Sequence, residues 1–104
     1  MSIAENLEKL LASGQDNAML RFGLGSAYFN DKQFALAIPH LRACLVHDPE
    51  YTAAYKLLGK ALIKTGDDEG ASDVFNTGLP IAQRKGDKQT EREILAFRKK
   101  LDKR

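Results

Sequence analysis

LGSAYFNDKQFALAIPHL, residues 24–41, and LGKALIKTGDDEGASDVF, residues 58–75, are two versions of one pattern. Laying the second on the first places Leu58-Gly59 on Leu24-Gly25, Leu62 on Tyr28, Ala71 on Ala37 and Phe75 on Leu41. In each copy a helical stripe runs into a polar turn, after which a second helical stripe begins. Self-similarity at a fixed period of roughly 20–50 residues marks an array of supersecondary units. The first copy carries an oddity, because Gly23 and Gly25 both fall inside an otherwise helical segment. Each costs about 1 kcal/mol relative to alanine, so each requires a reason.

Outward from the repeat, helical periodicity continues to both ends. Ile3, Leu7, Leu10 and Leu11 form a stripe that Ser13-Gly14 stops. Asn17 is a good N-cap for a second helix with Leu20, Leu24 and Tyr28 on one face, ended by Asn30-Asp31-Lys32. A third helix runs from about Phe34 to His47 with Ile38, Leu41 and Leu45, and Asp48-Pro49 closes it. The fourth spans about Thr52 to Lys64 and stops at Gly66. Asp67 caps a fifth, with Ala71, Val74, Phe75 and Leu79, which Gly86 terminates. A sixth, about Lys88 to Asp102, places Ile94, Phe97 and Leu101 on one face. Six helices with short connections predict antiparallel neighbours and an all-α fold.

The spacing L-G-x-x-Y, then A-x-x-x-L/F, then Pro49 after a further interval from Leu41, resembles the tetratricopeptide repeat. The resemblance covers residues 18–51 and 52–85 as two repeats and is similar to small stand-alone bacterial members of that family. Two departures stand out. The motif's tryptophan is Arg21 in the first repeat and Tyr55 in the second, and Gln83 stands where the second repeat's proline is expected. The resemblance implies a short right-handed α-solenoid of about six helices filling one domain. Small residues at Gly25, Gly59, Ala37 and Ala71 then let helices approach, with Tyr28, Leu41, Leu62 and Phe75 filling the space between. Gln83 predicts a fifth helix that runs past the usual end despite Pro80 within it. Residues 1–17 and 86–104 become capping helices, because a repeat cannot bury its own apolar face.

Composition agrees with one globular domain. The chain has 104 residues, 43% hydrophobic and 29% charged, with a net charge of +2. That charge is uneven: residues 84–104 carry +5 and the remainder −3. The single cysteine, Cys44, excludes an internal disulfide. MSIAENLEKLL has acids where a signal peptide needs a basic region, and no apolar run approaches a membrane span of about 18 residues. The expectation is a cytoplasmic protein without membrane contact.

Catalytic patterns fail on inspection. Gly23-Leu24-Gly25 begins a dinucleotide-like motif, but Tyr28 replaces the third glycine and no strand precedes it. His40, Cys44 and His47 share a helix face at a spacing that can present zinc ligands. Cys44, however, falls where the family packs a small side chain between helices, so it is read as a buried core residue. Asp67-Asp68-Glu69 sits at a helix start, where acids favour the dipole. No enzyme, metal or cofactor is expected.

A binding surface is expected instead. In the family the first helices of successive repeats line a concave groove, which here implies Met19, Phe22, Gly23, Ser26, Phe29 and Asn30 from one repeat. The next contributes Lys56, Lys60, Ile63 and Lys64, beside Ala53. Phe22 and Phe29 have two readings, groove or ordinary core, and the lysine row two, ligand-facing or simply solvated. Gly23 is expected to leave room for a partner's backbone. The family's carboxylate clamp is absent, its positions reading Phe22, Ser26 and Leu57. The implied function is a non-enzymatic protein-protein interaction adaptor taking an acidic peptide or helix. Two alternatives are polyanion binding through Lys85, Lys88, Arg92, Arg98, Lys99, Lys100, Lys103 and Arg104, and weak homo-oligomerisation through an end helix.

Overall fold

Capping chemistry sets where each helix begins. In the computed structural model, which describes residues 2–103, there are six α-helices. These are α1 (Ile3–Ala12), α2 (Ala18–Asn30), α3 (Phe34–His47), α4 (Thr52–Lys64), α5 (Asp68–Lys85) and α6 (Lys88–Asp102). Ser2, Asn17, Asp67 and Asp87 each accept a hydrogen bond from a backbone N–H of the first turn, at 3.1, 2.8, 2.8 and 3.2 Å. The predicted boundaries hold, including the long α5 with Pro80 inside it. Its extra turn has a purpose: the Arg84 guanidinium grips the Glu50 carboxylate and Lys85 donates to the Glu50 carbonyl, tying α5 to the α3–α4 turn.

The turns repeat as the sequence does. Gly66 leaves α4 with φ 89°, and Lys32, its counterpart in the first pair, leaves α2 with φ 61°. Both close the same way, through Lys32 N–H to Phe29 O and Gln33 N–H to Tyr28 O, or Gly66 N–H to Ile63 O and Asp67 N–H to Leu62 O. A left-handed conformation costs a residue with a Cβ about 1–2 kcal/mol. Lys32→Gly, at an exposed side chain, therefore raises stability by up to about 1 kcal/mol, read as a higher denaturant midpoint at unchanged slope. A lower midpoint would contradict this.

The helices pack as antiparallel pairs, α2 with α3 and α4 with α5, joined through α3 against α4 and α5 against α6. α2, α4 and α6 also touch in succession along one side. The result is a slab of 42 × 28 × 18 Å, two helix layers thick. Its centre is Phe75, Leu24, Leu41, Leu58, Ile94 and Cys44, all essentially without solvent contact. Gly25 and Gly59 sit at the closest helix crossings. A Cβ on Gly25 would lie 2.5 Å from Leu41 Cδ2, and one on Gly59 would overlap the Phe75 ring. Gly78 does the same for Tyr55, whose Cβ would be 2.5 Å from an added methyl.

The ends differ from expectation. Of the α1 stripe Leu7 and Leu11 turn inward, while Ile3 is 71% and Leu10 40% exposed, because the main packing of α1 is on α2. α6 buries Ile94 and Thr90 in the positions that Leu58 and Ala54 hold in α4. The step from α4 to α6 along the chain is longer than the step from α2 to α4, since α5 has 18 residues and α3 only 14. No helix among the described residues is long and apolar enough to cross a membrane.

Candidate functional site

α2, α4 and α6 contact in succession along one side of the slab, the side that the repeat pattern implies is concave. On α2, Gly23 faces α1, where an added Cβ would lie 3.1 Å from Leu7 Cδ1. The room expected there for a partner's backbone is thus filled by the chain's own first helix. Phe22 and Phe29 face the other way. Phe22 packs on Tyr51 at 4.9 Å between ring centroids, and Phe29 lies edge-on to Phe34 at 5.0 Å. Both are half-buried against the core, so they wall the seam between α2 and α4. Of the other α2 residues expected on this face, Met19, with 76% exposure, and Asn30 are exposed, while Ser26 is half-buried.

The lysine row of α4 is less uniform than its spacing suggested. Lys56 pairs with Glu93 of α6 at 3.0 Å, which cancels its charge. Lys60 Nζ lies 5.4 Å from the centre of the Phe29 ring and 5.5 Å from that of Phe97, bridging α2 and α6. Lys64 is exposed, over Phe34 at 6.0 Å. Ile63 completes the row as half-buried apolar surface. A recess of about 190 Å³ opens between α4 and α6, lined by Lys60, Ile63, Lys64, Phe97, Lys100 and Leu101. Thr52 donates to the Asp87 carboxylate at 2.6 Å, and with the Lys56–Glu93 pair this pins α6 against α4. The Asp87 carboxyl is held below its ordinary value, chiefly by that Thr52 hydroxyl and by Thr90.

Sequence reasoning missed Phe97, Lys100 and Glu93 as members of this face. The signal was present in Ile94, but the lengthened step to α6 hid it as a third helix of the α2 and α4 type. It also missed the work done by the departure at Arg21. Arg21 donates twice to Asp16, at 2.7 and 3.0 Å, and once to His40 Nδ1 at 3.1 Å. Neutral His40 then carries its proton on Nε2, toward Glu8 of α1 3.6 Å away, and its ring stacks on Tyr28 at 5.6 Å. Burial lowers the His40 pKa, which favours that neutral form. His47 reaches Asp16 at 3.0 Å, and hydrogen bonds from Arg21 first and His47 second hold the Asp16 carboxyl down to about 2. This network fastens α1 and the α1–α2 turn to the first pair.

The same network disposes of the His40, Cys44 and His47 triplet. Both imidazoles turn to other partners and Cys44 is fully buried, its thiol pushed up to about 11 by desolvation. Among the described residues no group of three or more His, Cys, Asp or Glu is arranged to hold a metal ion. The basic tail is partly neutralised. Arg84 is spent on Glu50 and Lys88 pairs with Glu91 at 3.8 Å, while Lys100, over Phe97, keeps its charge. Arg104, also counted in that tail, lies outside the described residues.

Comparison with known proteins agrees with this geometry. The sequence profile of the tetratricopeptide repeat matches residues 29–87. The chain is 49% identical over 98 residues to the TPR repeat-containing protein PA0015 of Pseudomonas aeruginosa, covering 94% of this chain and 93% of that one. It also resembles the solution structure of protein BPP2914 from Bordetella parapertussis, with a TM-score of 0.85 and 46% identity over 99% of this chain and 90% of that one. The crystal structure of MamA shares the fold at 22% identity, with a TM-score of 0.71 over 96% of this chain and 65% of that one. Matched over more than half its length by the repeat profile and nearly end to end by these relatives, the chain belongs to the tetratricopeptide repeat family.

Proposed function

We propose that the protein is a non-enzymatic adaptor of the cytoplasm whose concave face, formed by α2, α4 and α6, binds a peptide or helix of a partner protein. Tetratricopeptide repeat proteins generally mediate protein-protein interactions, and that class is the starting point. The observation that carries the finer reading is Lys60, a half-buried cation held between Phe29 and Phe97 across three helices. A cation kept between two aromatic rings combines a charge with adjacent apolar contact area. Interfaces of that kind take amphipathic partners of opposite sign.

Affinity capture from the native cell lysate tests this. Wild type is compared with a Phe22→Ser, Lys60→Glu double variant whose helicity and melting are checked first. The expected result is a retained protein that the variant loses, with weaker retention at higher salt because the charge contribution is screened. Retention unchanged by the variant would move the binding surface elsewhere on the molecule.

A further inference from the structure

Three cations on the concave side have no carboxylate partner among the described residues: Lys60, Lys64 and Lys100. Their ammonium groups lie over aromatic rings instead, Lys60 and Lys100 both over Phe97 and Lys64 over Phe34. All three also line the recess between α4 and α6, whose floor is Ile63, Phe97 and Leu101. By contrast Lys56, one turn before Lys60 on α4, is paired with Glu93. The recess is thus an apolar hollow rimmed by three cations without a carboxylate partner. Its volume of about 190 Å³ is below the roughly 300 Å³ at which small-molecule pockets begin, and suits one side chain.

We propose that this recess is a subsite for one apolar side chain of an acidic partner segment, whose flanking carboxylates pair with Lys60, Lys64 and Lys100. The inference rests on the concave-face reading and names the partner chemistry for its α4–α6 end. Charge complementarity selects the sign, because a basic or neutral segment would leave three ammonium groups facing it without counter-charge. The apolar floor selects the anchor, because a carboxylate alone would leave Ile63 and Leu101 uncovered. A nucleic acid fits less well. Binding single strands uses aromatic faces for base stacking, whereas the Phe97 ring is stacked on Phe75 at 6.0 Å and lies beneath lysines.

The probe is a fluorescein-labelled peptide of glutamates flanking one leucine, with two controls: leucine replaced by serine, and glutamates replaced by glutamine. Anisotropy is measured with the full chain and with a Lys64→Glu, Lys100→Glu variant, whose substitutions are at exposed side chains. Binding of the parent peptide is expected, with amide shifts in the magnetic resonance spectrum centred on Ile63, Phe97 and Leu101. Each control and the double variant should weaken it about tenfold or more. The proposal is overturned if the parent peptide does not bind at millimolar concentration, if the serine control binds equally well, or if the variant binds like wild type. Tighter binding of an oligonucleotide of equal charge would also overturn it, in favour of a nucleic acid. Lysate capture that still depends on Phe22 and Lys60 in any of those cases would leave the concave-face reading standing while removing this subsite.

Discussion

Phe75→Ala is expected to lower stability by about 3–5 kcal/mol, the range for emptying a buried aromatic site. Phe75 has no solvent exposure, fills the space opened by Gly59 on α4 and stacks on Phe97 of α6. It therefore joins three helices. Against a total of about 5–15 kcal/mol for a domain, that loss is a large share. A stack of repeats holds together through nearest-neighbour interfaces, so the damage should be local. Amide exchange is expected to accelerate first in α4, α5 and α6, while α2 and α3 keep more protection. A midpoint shift worth less than about 1 kcal/mol, or uniform loss of protection, would contradict this account of the core.

The second large effect comes from adding one methyl group. Gly59→Ala should destabilise by about 1–3 kcal/mol, although alanine favours the helix by about 1 kcal/mol, because the methyl has to displace a buried, rigid ring. Gly23→Ala is the matched control. Its methyl meets only the tip of Leu7, a half-buried side chain on the lightly packed α1, so stability should stay within about 1 kcal/mol of wild type. Equal effects from the two substitutions, read from denaturant midpoints, would mean that helix propensity and not the helix crossing governs these glycines.

Much of the fold was legible because its signals are local. Asn17, Asp67 and Gly86 announce helix ends through their own backbone preferences, and Leu24, Leu41, Leu58 and Phe75 recur at a spacing that only stacked helices explain. What escaped the sequence depends on neighbours. Ile3 and Leu10 carry the same stripe as Leu7 and Leu11, and what separates exposed from covered is that α1 packs mainly on one neighbour, α2. Gly23 looks like groove lining until α1 is placed on it. Phe22 and Phe29 satisfy both readings in part, since a seam residue is at once core and wall of the face. Lys56, Lys60 and Lys64 share one spacing yet meet a carboxylate, two rings and one ring respectively. The first two owe that difference to α6, which supplies Glu93 and Phe97 from the far end of the chain, where no local pattern links them to α4.

The concave-face claim is tested most directly by photo-crosslinking in cells. A benzophenone amino acid is placed at Met19 or Lys64 on the concave side, and at Leu36 or Val46 on α3, which are 50% and 81% exposed and apolar. A discrete crosslinked partner is expected from Met19 and Lys64 and none from Leu36 and Val46. Crosslinks formed only from α3 would contradict it, and would assign partner binding to the outer layer of the stack.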